Sequence, residues 1–111
     1  MAISVLSVAS EAYPLVKTGG LGDVVGALPA ALMPHDVNVV TLVPGYPRVM
    51  AAVQKSAALH DWPDLIGAPA RLLSGTIAGH KLLVLDAPGY FAREGGPYGD
   101  PSGRDWDDNW R

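Results

Sequence analysis

The sequence predicts an α/β fold, a three-layer unit around a mixed sheet. Three observations carry the prediction. Ile3 to Ala9 (ISVLSVA) and Val37 to Val43 (VNVVTLV) are β-branched and mostly apolar on both parities, as in strands buried on both faces of a parallel sheet. Between them, Leu21, Val24, Val25, Leu28 and Leu32 fall on one face of a helix. A strand, a helix and a second strand in that order imply two parallel neighbours joined by a right-handed crossover.

In chain order, the first strand ends near Ala9 and a loop, SEAYPLVKTGG, leads into a helix over about Leu21 to Met33. Pro29 lies inside that helix and removes one backbone donor, which predicts a kink or a break into two turns. Pro34-His35-Asp36 ends it. After the second strand, Pro44-Gly45-Tyr46-Pro47 has turn chemistry. Arg48 to Ala58 is alanine-rich with Val49, Ala52 and Val53 on one side, which predicts a second helix. Ala70 to Ile77 and Lys81 to Ala87 are strand-like runs joined by Ala78-Gly79-His80, a hairpin that makes the sheet mixed.

From Pro88 on, the segment PGYFAREGGPYGDPSGRDWDDNWR has no periodic apolar face, and irregular backbone is expected there. Asp107, Asp108 and Asn109 are residue types that begin helices, so the sequence reads as a piece that stops where a helix was about to start.

At 111 residues the chain allows one small domain with a modest core. A formal net charge of −3 argues against nonspecific nucleic-acid binding, which needs a basic footprint. Cysteine is absent, which excludes disulfides, thiolate metal sites and cysteine nucleophiles. MAISVLSVAS has no basic leader region, and no segment has membrane-spanning length, so a cytoplasmic protein without membrane partners is expected.

The stretch that carries chemistry is KTGGLGDVVGALP, residues 17–29. Gly19 and Gly20 permit positive φ and put no Cβ in the way of a ligand. The helix that follows offers unpaired N–H donors and its positive dipole end. Lys17 adds a full charge on a flexible stem, which suits phosphate oxygens. Two familiar phosphate loops do not fit: a Walker A motif places its lysine after the last glycine, and a dinucleotide fingerprint follows its strand directly, whereas these glycines lie about ten residues beyond.

SEAYPLVKTGGLGDVVGALP, then LVPGYP, then LLVLDAPGYFAREGGPYG, in that order, resembles the opening of bacterial glycogen synthases and starch synthases. The resemblance implies a retaining GT-B glycosyltransferase that moves glucose from ADP-glucose to an α-1,4-glucan such as glycogen. It implies a Rossmann-like N-terminal domain, incomplete here, with the C-terminal nucleotide-binding domain absent. By the same resemblance Lys17 contacts the donor phosphates, Gly19 and Gly20 shape the loop that admits them, and no metal or other cofactor is required. The short chain alone is then expected to be catalytically silent.

Other residues carry two readings each. Asp23 is an acid in the first turn of a helix, stabilising by roughly 0.3–1 kcal/mol, or a sugar contact. Tyr98 matches an aromatic that the family places near the sugar cleft, or it anchors packing after a turn. Glu11, in the loop after the first strand, either orients the Lys17 site or is a surface acid of that loop, the second being the favoured reading. His35, His60 and His80 read as exposed loop residues without metal spacing. Trp106 and Trp110 read as a core stripe, and Tyr13-Pro14 as rigid loop packing. The contrasting reading of the whole is a noncatalytic module that binds glucan or a partner; a flavodoxin-like anion binder is a third.

Overall fold

The computed structural model of the chain describes residues 2–77, 80–93 and 95–109. The elements are β1 (Ile3–Val8), α1 (Gly20–Leu32), a 3-10 turn (Met33–His35), β2 (Val37–Pro44), α2 (Pro47–Ala52), β3 (Gln54–Leu65), β4 (Ala68–Ile77), β5 (His80–Asp86) and α3 (Pro88–Phe91). They form one five-stranded sheet in the order β1-β2-β5-β4-β3. β1 lies parallel to β2, with Ile3 opposite Val37 and Val8 opposite Leu42, as the crossover through α1 requires. β2 is parallel to β5, while β5, β4 and β3 form an antiparallel meander. The sheet is therefore mixed and includes the expected hairpin; its turn residues Ala78 and Gly79 lie outside the described residues.

Strand alternation decides which side of the sheet is dry. Thr41 and Val43, Leu82 and Val84, and Leu73 and Gly75 stand side by side in the register and point to one face. Val25 of α1, Val49 of α2, and Ala12, Leu15 and Val16 of the first loop close over them. Val43, Val49 and Val84 are at most 1% exposed, and burying such a side chain stabilises by about 1.5–3 kcal/mol.

The opposite face carries Leu6, Val8, Val40, Leu42, Leu83 and Leu85. Leu6 is 56% and Val8 68% exposed. The expectation that β1 is buried on both faces is thus corrected: it lies at the sheet edge, and the described residues supply one helical layer, packed on the other side. The same geometry narrows the apolar stripe of α1. Gly22 and Val25 face the sheet, whereas Leu21 and Val24, assigned to the buried face by periodicity, are exposed. α1 runs unbroken through Pro29, because the N–H of Met33 still reaches the Pro29 carbonyl beyond the missing donor. Asp36, in the left-handed region at φ 60°, turns the chain out of the 3-10 turn into β2.

The expected helix over Arg48 to Ala58 is half wrong. α2 stops at Ala52 and β3 begins at Gln54. Alanine propensity yields there to sheet pairing: a Cβ at Gly75 would stand 2.4 Å from Val53 Cγ1 and 3.2 Å from the Gln54 carbonyl oxygen, so the chain enters β3 across a gap that glycine leaves in β4. β3 turns into β4 at Ile66 (φ 54°) and Gly67 (φ 98°), a two-residue hairpin with both residues in the left-handed region. β3 is an irregular edge, with three register shifts against β4 and with Asp61, Pro63 and Asp64 along it.

Beyond α3, a single turn, the backbone is irregular as expected, yet it is tied to itself. Asp100 N–H bonds the Arg104 carbonyl at 2.8 Å, Gly96 N–H the Gly99 carbonyl at 2.9 Å, and Trp106 N–H the Tyr98 carbonyl at 3.2 Å. Asp108 and Asn109 act as tethers here: Arg93 clasps Asp108 through two bonds of 2.8 and 3.0 Å, and the Asn109 amide donates to the Tyr98 carbonyl. Among the described residues no helix is long and apolar enough to cross a membrane.

Candidate functional site

The first loop is built to project its lysine. Ala12 and Val16 exchange backbone bonds of 2.9 and 3.0 Å, and Ala12, Leu15 and Val16 are buried, so the chain is pinned up to Val16 and leaves the core at Lys17. The Tyr13-Pro14 peptide is cis, Tyr13 is exposed, and its N–H donates to the Gly22 carbonyl at 2.9 Å. Helix and loop meet most closely at Gly26, where a Cβ would stand 2.3 Å from the Tyr13 carbonyl oxygen.

Lys17 Nζ lies 3.1 Å from Asp23 Oδ2, both side chains about half exposed. Such a pair contributes about 0.2–1 kcal/mol, so an anion with more than one charge can draw the ammonium away at little cost. The structure therefore places Asp23 as the resting partner of Lys17 in the first turn of α1. Gly19 is extended at φ −165°, a conformation open to any residue, and Gly20 is already helical. Positive φ is thus not what these two glycines supply. A Cβ at either would meet nothing within 4 Å, which leaves the backbone approachable from solvent.

Glu11 overturns the reading as a surface acid. It is 1% exposed and accepts from the Thr18 hydroxyl at 2.5 Å, the Gly22 N–H at 2.9 Å, the Tyr98 hydroxyl at 3.0 Å and, weakly, the Thr18 N–H at 3.5 Å. A buried carboxylate is tolerated only with such a set of donors. The Thr18 hydroxyl lowers its pKa most; burial opposes, and the Tyr98 hydroxyl and the two N–H groups add to the lowering. A depressed folded pKa stabilises above the ordinary glutamate range, and that contribution is lost as the pH falls through the folded value. Titrating the Glu11 carboxyl by NMR is expected to give a midpoint below that of a free glutamate; a midpoint at or above it contradicts the geometry.

Lys17 and Thr18 form one wall of a cleft of about 610 Å³. Tyr46 to Arg48 and Tyr90 to Arg93 supply others, so the cleft sits beyond the carboxyl ends of the three parallel strands β1, β2 and β5. Open α/β sheets hold ligands at that position. A second hollow of about 340 Å³ shares Tyr46, Tyr90, Phe91, Arg93 and Pro97 with the first and adds Tyr98 and Ser10. Tyr46 meets Phe91 edge to face at 5.5 Å, and burial, then the nearby Tyr98 and Glu11, push its hydroxyl up to about 12. Arg93 lies over the Trp106 ring at 3.9 Å while it holds Asp108.

Of the residues predicted from sequence, Lys17 lines the larger cleft and Tyr98 the smaller. Gly19, Gly20 and Asp23 flank Lys17 outside both linings. Tyr98 anchors packing and borders a hollow at once, since its hydroxyl also lies 2.6 Å from Ser10 Oγ. Trp106 belongs to the cleft wall and not to the sheet core; Trp110 lies outside the described residues. The three histidines are exposed, His35 in the 3-10 turn and His60 and His80 on strands, and no metal-binding group of residues occurs among the described residues. Sequence reasoning set aside its reading of Glu11 as an orienting residue and missed its burial and its link to Tyr98, as well as Arg48 in the cleft and Gly22 and Gly26 as points of close approach. Glycines inside a predicted helix were the available signal.

Fold and cleft define an α/β domain with an open cleft at the carboxyl ends of its parallel strands, beside a lysine on a glycine-rich loop. The chain belongs to the starch synthase catalytic domain family, whose model it matches over residues 4–111. A glycogen synthase of Novosphingobium aromaticivorans is 65% identical over 111 residues, the whole of this chain and 23% of that protein. One from Rhodopseudomonas palustris (strain BisB18) is 56% identical over 108 residues, 97% of this chain and 22% of that protein. Among solved structures, the catalytic domain of starch synthase IV from Arabidopsis thaliana, bound to ADP and acarbose, superposes with a TM-score of 0.72 at 28% identity, over 92% of this chain and 22% of that one. The resemblance read from K-T-G-G-L is borne out. The chain spans under a quarter of the length of the relatives it matches.

Proposed function

We propose that the chain is the N-terminal part of a cytoplasmic glycogen synthase of GT-B architecture, which transfers glucose from ADP-glucose to the non-reducing end of an α-1,4-glucan with retention. The observation that carries the reading is Lys17 on the wall of a cleft at the strand ends, held by a pair weak enough to exchange for a phosphate. Family membership, and a structural relative solved with ADP and acarbose, support a nucleotide-sugar donor and a glucan acceptor. In this reading the ammonium meets the charge that develops on the departing diphosphate, with α1 adding the positive end of its dipole. The aromatic walls, Tyr46, Tyr90 and Phe91, offer faces for sugar rings. The remaining nucleotide contacts and the groups around the anomeric carbon belong to a second domain that closes on the first and excludes water.

The test is a chimera in which this chain replaces the matching segment of the Novosphingobium enzyme. It is expected to transfer glucose from ADP-glucose to glycogen, whereas the 111 residues by themselves are expected to show no turnover. A folded but inactive chimera, or an active isolated chain, contradicts the proposal.

A further inference from the structure

We propose that Glu11 is a positioning residue: through its buried carboxylate it holds the Lys17 loop and the Tyr98 loop together as one wall of the cleft, and so sets how tightly that wall binds a diphosphate. Ser10 also meets the Tyr98 hydroxyl, at 2.6 Å, but among the described residues only Glu11 ties Tyr98, 87 residues away along the chain, to Thr18 and Gly22 beside Lys17. One oxygen accepts from Gly22 N–H, and the other from the hydroxyls of Thr18 and Tyr98. The four donors are neutral and come from the first loop, the start of α1 and the tail. Gly22 permits the arrangement because a Cβ there would press Glu11 Oε1 and Lys17 Cγ at 3.2 Å each.

Electrostatics makes the idea sharp. A negative charge in the wall of an anion site repels the anion, so a carboxylate that merely fills space there lowers affinity, and neutralising it should tighten binding. A carboxylate that positions the wall does the reverse: losing its charge weakens the hydrogen bonds that hold Thr18 and Gly22, and binding weakens although the repulsion has gone. The two roles differ in sign.

The ligand arm rests on the reading of the Lys17 loop as a diphosphate site; the clamp itself does not. The experiment therefore has two readouts on the full 111-residue chain: ADP affinity by NMR titration, and hydrogen exchange of the Gly22 and Thr18 amides without ligand. Glu11→Gln, which keeps the shape, is expected to speed Gly22 exchange by about tenfold and weaken ADP binding by about tenfold. Tyr98→Phe, at an exposed side chain, is expected to give smaller changes in the same direction, and the double variant to fall short of the combined effect. Unchanged amide exchange in Glu11→Gln, or ADP binding as tight as or tighter than in the unaltered chain, overturns the proposal. If Glu11→Gln does not fold, Tyr98→Phe decides: Gly22 exchange and ADP affinity both unchanged overturn it. If the unaltered chain by itself binds no ADP, the affinity comparison is made in the chimera, where the second domain closes on the site; no ADP binding there overturns the diphosphate reading together with the affinity part of the proposal, and faster Gly22 exchange in Glu11→Gln then supports the clamp alone.

Discussion

Replacing Lys17 with alanine is expected to slow glucosyl transfer by the active chimera about a hundredfold to a thousandfold, the range seen when one charge-stabilising donor is removed from a transition state, on the order of 2.7–4 kcal/mol. The loss should fall on donor-dependent kinetics, because in the proposed function the ammonium meets the diphosphate, while the residue lies outside the core cluster. Melting of the domain should hardly change, since the lysine gives up only a half-exposed pair with Asp23. Arginine at the same position keeps the charge but presents a planar fork in place of a compact ammonium, and should recover part of the rate. Unaltered donor kinetics in Lys17→Ala would remove the phosphate role from this loop.

The second large effect is structural. Gly26→Ala places a Cβ 2.3 Å from the Tyr13 carbonyl oxygen and 3.1 Å from the Tyr13 nitrogen, contacts with backbone that cannot swing aside. An alanine in mid-helix ordinarily stabilises by about 0.5–1 kcal/mol over glycine, so intrinsic propensity and packing predict opposite signs here. Packing should win: α1 must move off the first loop or the loop must yield, at a cost of about 1–3 kcal/mol. Calorimetry should show a Tm lower by roughly 4 °C or more for each kcal/mol. A raised Tm would mean that loop and helix separate freely. Gly20→Ala is the control, since a Cβ there meets open space.

How much of this was legible in the sequence depended on whether the signal was local. The pairing of β1 with β2 and the hairpin of β4 with β5 could be read because β-branched runs and their spacing state them directly. β3 could not: its alanines argue for helix, Pro63 and its two aspartates argue against any strand, and what places it in the sheet is a gap at Gly75 about twenty residues away along the chain. The burial of β1 was overstated for a related reason. Composition says that a strand can be covered on both faces and is silent about what is present to cover it. In the cleft, the place of Lys17 on the wall was legible because a lysine beside glycines is a local chemical statement. Glu11 was not, because its meaning depends on Tyr98, which the fold alone brings to its side.

The two borders of the sheet differ in a way that limits how the sheet can grow. β3, at one end, is broken in register three times and carries Pro63 and two aspartates, the features that keep a border from pairing further. β1, at the other end, is six residues of ISVLSV with neither a charge nor a proline, and its outer row of backbone donors and acceptors faces away from β2. A newcomer strand therefore finds no template beside Trp62 and a ready one beside Val5. Any strand added to this sheet would therefore find its template along residues 3–8 and not along β3.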